Sequence, residues 1–74
     1  MSIDKLKAGA EQHLYAAEVL QEATLAITAE MEHLTDEALE GAVRARGKVM
    51  DLLTSELAVS QGLCLVAEEE QAKC

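Results

Sequence analysis

The chain contains no proline, phenylalanine or tryptophan, and Tyr15 is its one aromatic residue. Without proline, no ring interrupts backbone hydrogen bonding, and the abundant Ala, Leu and Glu residues lose little rotamer freedom in a helix. The composition therefore predicts an all-α protein. No internal repeat and no glycine-rich or serine-rich linker divides the 74 residues, so we expect one domain.

Basic residues are few. Six Lys and Arg stand against 14 Asp and Glu, which gives a formal net charge of −8. Nucleic-acid affinity depends on Lys and Arg displacing counterions from phosphates, so direct nucleic-acid binding is not expected. A basic partner fits this charge better.

Long apolar runs are also missing. The longest, Leu63 to Ala67, is far shorter than the roughly 20 residues of a membrane span. Met1 to Asp4 lacks the residue pattern of a secretory signal. We therefore expect a cytoplasmic protein that does not enter a membrane.

The two cysteines, Cys64 and Cys74, lack the CxxC spacing of redox and zinc motifs. Cys64 is predicted to be a small residue of the protein core, because free cysteine is usually buried. Cys74 belongs to a loose acidic tail, predicted from about residue 68 to 74. That tail is expected because three consecutive glutamates would stand at the negative end of a helix dipole.

Two helices are predicted, over about residues 3–33 and 36–67. Ser2 and Thr35 are suitable N-caps, and Leu34 and Leu39 occupy the positions of a hydrophobic staple. In the first helix, apolar residues recur at alternating steps of three and four, the spacing of a coiled-coil seam. They are Ile3, Leu6, Ala10, Ala17, Leu20, Ile27, Met31 and Leu34, and His13 and Thr24 interrupt them.

The second helix, which Gly62 either divides or leaves whole, carries a broader apolar arc. On a helical wheel it covers about 200°, twice what one core needs. One antiparallel helix cannot cover that width, so we expect either a homodimer that forms a four-helix bundle or a different protein bound to the arc. The predicted interface residues are Leu39, Val43, Val49, Met50, Leu53, Leu57, Leu63 and Cys64.

A short turn makes the two helices antiparallel, which places His13 level with Glu56 and Thr24 level with Arg46. These four residues are the conspicuous polar interruptions of the two apolar faces. Buried polar groups need partners, and such pairs often determine register and oligomeric state. We therefore predict two buried polar pairs, His13 with Glu56 and Thr24 with Arg46.

Residue patterns typical of catalysis are missing. No Ser, His and Asp grouping and no glycine-rich phosphate loop can be identified, and two helices offer little interior for a cleft. Glu30 and His33 have the Glu-x-x-His spacing of di-iron bundles, without a second copy of the motif. We expect no enzyme activity, no catalytic residues, and no cofactor or metal.

The sequence therefore predicts a small protein–protein interaction module, an adaptor, chaperone or inhibitor, that acts through an apolar helix face. In architecture alone it is similar to the small chaperones of type III and flagellar secretion and to small phage-encoded inhibitors. The alternative hypothesis is an acidic inhibitor of phage origin that imitates nucleic acid. Such an inhibitor would occupy a basic groove of a nucleic-acid-handling protein.

Overall fold

A computed structural model describes residues 2–73 of the chain. Helix α1 comprises Ile3–Met31 and helix α2 comprises Asp36–Ala72. The two helices lie side by side and antiparallel in a rod of 58 × 14 × 13 Å. This confirms the predicted all-α helical hairpin.

Helix α1 begins where the sequence predicts. Ser2 is its N-cap, and the Ser2 Oγ accepts a hydrogen bond from the Lys5 amide at 3.4 Å. The helix ends at Met31, two residues earlier than predicted. It ends there because the next three amides bond carbonyls three residues back, the tighter 3₁₀ pattern that closes many helices.

The chain reverses over residues 32–35. Thr35 is the N-cap of α2, as predicted, but its side chain makes no capping hydrogen bond, and only its carbonyl accepts one, from the Leu39 amide at 3.3 Å. Asp36, the first residue of α2, has a φ of 54°. This left-handed conformation is unfavourable for most L-residues, and Asp and Asn tolerate it best.

Helix α2 continues to Ala72, five residues beyond the end predicted at about residue 67, so the predicted tail is helical up to that residue. Each glutamate near a helix C-terminus destabilises the helix by only about 0.3–1 kcal/mol through its interaction with the dipole. That cost is too small to unwind a long helix. Lys73 Nζ also donates to Glu70 Oε1 at 3.3 Å. Gly62 leaves the helix whole, and Cys74 lies outside the described residues.

The helices meet along a seam that repeats every seven residues. On α1 the covered positions include every predicted seam residue up to Met31, and the last predicted residue, Leu34, is half-buried in the turn. On α2 they follow the same spacing, which is that of a left-handed coiled coil. The α2 seam residues are Leu39, Ala42, Arg46, Val49, Leu53, Glu56, Ser60, Leu63, Ala67 and Glu70, with Leu57 half-buried beside them.

Packing is tightest in the half of the rod away from the turn. Among residues 2–73, four of the five buried residues lie there, and they are Leu6, Ala10, Ser60 and Ala67. The fifth, Ala17, lies at the midpoint of α1. At Gly9 the helices are so close that a Cβ would meet Leu63 Cδ1 at 3.2 Å. The missing side chain thus permits the close approach, which offsets the poor helix propensity of glycine.

Candidate interaction surfaces

His13 and Glu56 meet across the seam at the level where the predicted register places them. His13 Nδ1 lies 2.5 Å from Glu56 Oε2. The pair is not buried, however, since the two side chains are 39% and 30% exposed. Two helices enclose a seam residue from one direction only, so a polar tip reaches water past the edge of the seam.

Thr24 and Arg46 do not pair as predicted. Arg46 Nη1 donates instead to Thr28 Oγ1, at 3.3 Å. Thr24 Oγ1 donates to the Leu20 carbonyl of its own helix, at 2.9 Å. A long guanidinium side chain extends towards solvent, and a threonine on a helix commonly bonds the carbonyl four residues back.

Ser60 is a buried polar residue that the sequence interpretation missed. It is 7% exposed, and its Oγ donates to the Ala10 carbonyl at 2.8 Å. The signal that identifies it is the seven-residue spacing from Leu53 to Ser60 to Ala67. That spacing places the serine in the seam, where it bonds the partner helix.

The predicted interface residues are divided between the seam and the surface. Four of them lie in the seam against α1 instead, and they are Leu39, Val49, Leu53 and Leu63. The other four lie on one flank, where Leu57 is half-buried and Val43, Met50 and Cys64 are exposed. The prediction of Cys64 as a core residue is therefore wrong, because its position is beside the seam rather than in it.

One side of the rod is an apolar strip with carboxylates along its edges, which we call the acidic flank. Its apolar residues are Leu14 of α1 and Val43, Met50, Leu57 and Cys64 of α2. The next row outward on each helix has no basic residue and holds the carboxylates of Asp4, Glu11, Glu18, Glu32, Glu40 and Glu68. The basic residues of this flank are Lys7 and Arg46, and Arg44 lines a depression at its turn end.

Shallow depressions mark the acidic flank. One, of about 280 Å³, lies between the helices and is lined by Lys7, Ala10, Glu11, Leu14, Ser60 and Cys64. Another, of about 500 Å³, lies near the turn beside Leu39 and Val43. The first depression joins α1 and α2 residues, so the two helices share this surface.

The opposite side of the rod, which we call the small-residue flank, has different chemistry. It carries Gly9, Ala16 and Ala23 of α1 and Ala38, Ala45, Leu52, Val59 and Val66 of α2. Leu52 is 56% exposed and Val59 is 44% exposed. The next row outward holds Lys5, Lys48 and a single carboxylate, Glu69. The two flanks are thus both apolar and differ in charge.

Helix α2 is also long and apolar enough to cross a membrane, by length and composition. An 18-residue window of it has a mean hydropathy of 1.4, and 6% of that window is buried. One such helix is weak evidence for a membrane span, because a helix with exposed apolar flanks that bind another protein meets the same criterion. The expectation that the chain stays out of membranes remains a prediction.

Among residues 2–73, no three His, Cys, Asp or Glu side chains are grouped as metal ligands would be. Glu30 and His33 are both exposed near the turn.

No protein-family model matches the chain, and no curated protein or solved structure is significantly similar to it. Its own surfaces are therefore the basis for inferring a function.

Proposed function

We propose that this chain is a non-enzymatic protein-interaction module whose apolar flanks are covered by other polypeptides, first of all by a second copy of itself. The exposure of apolar side chains on α2 carries the proposal. Val43, Met50, Leu52 and Val59 are 44–56% exposed although they lie beside the seam. Apolar area removed from water contributes about 25 cal/mol per Å², so a complementary surface stabilises this helix.

The total exposed surface indicates the size of the contact. A compact monomer of 7.9 kDa is expected to expose about 4,400 Å². The hairpin exposes 5539 Å². The excess of about 1,100 Å² is close to the 800 Å² or so that each partner buries in a standard interface. One partner of similar size is therefore sufficient to cover it.

The small-residue flank suits a second copy. A two-fold axis parallel to the rod lays α2 of one copy over α1 of the other. Leu52 then lies level with Ala16 and Val59 lies level with Gly9, so large side chains pack against small ones in a four-helix bundle. The charges of this flank permit the contact, whereas on the acidic flank the same axis would bring Asp4 and Glu32 of one copy beside Glu68 and Glu40 of the other.

Replacing Leu52 or Val59 with Asp tests the dimer. Each substitution places an unpaired charge in the interface, which should raise the dimer dissociation constant by about 100-fold or more. We expect sedimentation to give twice the chain mass of 7.9 kDa for the wild type and a single chain mass for the variants. Circular dichroism should show that the variants remain helical.

Leu65→Asp is the matched control, because Leu65 is 60% exposed and lies on the side of α2 opposite the seam. It should leave the mass of the dimer unchanged. A wild-type protein that stays monomeric at millimolar concentration would contradict the self-association. If Leu65→Asp dissociated the dimer as strongly as Leu52→Asp or Val59→Asp, the assignment of the dimer interface to the small-residue flank would be wrong.

An acidic inhibitor that imitates nucleic acid is the second candidate, and the carboxylate rows favour it. Residues seven apart on a helix are separated by about 10.5 Å, whereas phosphates of one DNA strand follow every 3.4 Å or so of the axis. The rows are thus sparse for such a role. Binding to a basic groove would weaken steeply with added salt, whereas an apolar contact would change little.

A further inference from the structure

We infer that the acidic flank is a docking groove for an amphipathic helix of another protein, with a row of Lys or Arg along one edge of that helix's apolar face. The inference rests on the proposed function and specifies the class of partner. It concerns a different flank from the one assigned to the second copy.

The floor of the groove has the spacing of a helix-binding surface. Val43, Met50, Leu57 and Cys64 follow one another at seven-residue intervals, about 10.5 Å apart, and Leu14 faces them from α1. From Val43 to Cys64 the floor is about 31 Å long, the length of a helix of about 20 residues. A partner with apolar residues at steps of three and four fits this spacing. Met50 adds adaptability, because its unbranched side chain repacks easily.

The charge at the edges of the groove selects the partner. Glu11 and Glu18 are exposed on the α1 edge, on either side of Leu14. On the α2 edge, Glu40 and Glu68 stand near the two ends, and between them lie the uncharged Gly47, Thr54 and Gln61. The middle of the groove is therefore acidic on the α1 side alone. A partner helix is best placed with its basic residues over α1.

The basic residues of the flank do not cancel this charge. Arg46 is engaged with Thr28 near the turn, and Arg44 lies beside Glu40 at the same end. Lys7 lies at the far end beside Glu11. The strip between Leu14 and Met50 keeps its carboxylate edge. A second copy is a poor occupant, because carboxylates of the two copies would meet at both ends of the groove.

A pair of synthetic peptides tests the inference. Both are 20-residue amphipathic helices with leucines at steps of three and four, and they differ only in a row of four Lys or four Glu along one edge. We expect the Lys peptide to bind at least about tenfold more tightly than the Glu peptide, measured by calorimetry in moderate salt. Equal binding of both, or binding of neither, would overturn the inference.

Charge-reversal variants locate the site. Glu11→Lys with Glu18→Lys should weaken binding of the Lys peptide about tenfold or more. The matched control, Glu22→Lys with Asp51→Lys, makes the same change in net charge on the outer faces of the two helices. It should weaken binding less than about threefold. If both pairs of substitutions weakened binding equally, the affinity would depend only on the net charge of the protein. The assignment of the peptide site to the acidic flank would then be overturned.

A neutral substitution tests the apolar floor. Met50→Gln with Leu14→Gln should weaken binding about tenfold, since two half-exposed apolar anchors are lost without a change in charge. Leu65→Gln, on the outer face of α2, is the control and should have no effect. If the control weakens binding equally, or if the floor variant binds normally, the groove is not the site.

The peptide assay also separates this inference from the dimer. The Leu52→Asp variant alters the small-residue flank and leaves the acidic flank intact. It should bind the Lys peptide with the affinity of the wild type. Loss of peptide binding in this variant would show that the two flanks are not independent and would contradict the inference. An absent dimer with normal peptide binding would contradict the self-association alone.

Discussion

At the level of single residues, His13 and Glu56 occupy seam positions where leucine would bury more apolar surface. The two side chains are partly exposed, and such pairs contribute about 0.2–1 kcal/mol to stability after solvent screening. Their contact spans the seam between residues far apart in the chain, so it forms in one register of the hairpin. The presence of this polar pair in the seam is therefore better explained by its effect on the register of the two helices than by its contribution to stability.

Replacing His13 and Glu56 together with Leu should raise the free energy of unfolding by about 1 kcal/mol or more, because apolar contacts replace a partly exposed polar pair. The same change should broaden the distribution of oligomers, since slipped pairings no longer separate two hydrogen-bonded partners. Thermal unfolding and sedimentation measure the two effects. Glu56→Leu alone serves as control and should be less stable than the double variant. A double variant less stable than the wild type would refute this explanation.

The sequence predicted one of the two polar contacts. A short turn sets the heights of residues along the hairpin, which is sufficient for His13 and Glu56. It is not sufficient for Arg46, because the long guanidinium side chain can reach beyond the residue at its own height. Arg46 therefore donates a hydrogen bond to Thr28, one helical turn from Thr24. Ser60 was missed for a related reason, since a serine in a seam is recognised by its spacing and not by its polarity.

At the level of the helices, the sequence predicted the width of the α2 apolar face. It did not predict that this face is divided into a seam and two flanks. A wheel drawn at 100° per residue lets a seven-residue seam drift by about 20° in each heptad. Over the 37 residues of α2 this drift merges the seam with both flanks. Val66 of the small-residue flank, which is 36% exposed, falls just outside the predicted arc for this reason. The seam becomes visible once the burial pattern is known.

The two helices contain glycines in different surroundings, so substitution with alanine should affect stability differently at each. A Cβ at Gly62 meets nothing within 4 Å, so Gly62→Ala should stabilise α2 by about 0.5–1 kcal/mol. A Cβ at Gly9 meets Leu63 at 3.2 Å, so Gly9→Ala should give a smaller gain or a loss. Denaturant unfolding of the two variants at one protein concentration measures the difference. Equal stabilisation by both would show that the helices are not in close contact at Gly9.

At the level of the whole molecule, the hairpin is packed more tightly at its open end than at its turn. Four of the five residues that are buried within 2–73 lie in the half away from the turn, and Ala17 lies at the midpoint of α1. The Ser60 to Ala10 hydrogen bond lies there as well. Local stability follows the density of buried contacts, so the half near the turn is the part of the rod that opens more easily.

Amide hydrogen exchange should therefore be slower around residues 10–17 and 60–67 than around residues 20–31 and 39–53. The Leu52→Asp variant is the suitable sample, because contacts with a second copy would otherwise protect α2 in addition. Protection that decreases steadily from the turn towards the open end would contradict the expectation. Such a profile would mean that the turn, and not the distant seam, holds the helices together.

The seven-residue repeat of the seam also makes the length of the rod adjustable in whole steps. Removing seven residues from α1 and the facing seven from α2 would shorten the rod by about 10 Å and return each remaining side chain to its own column. Removing one residue would rotate the rest of that helix by about 100° and carry seam leucines out to the surface. Insertions and deletions should therefore be tolerated when they come as multiples of seven residues in both helices. The number of such repeats would determine the length of partner helix that the groove can bind.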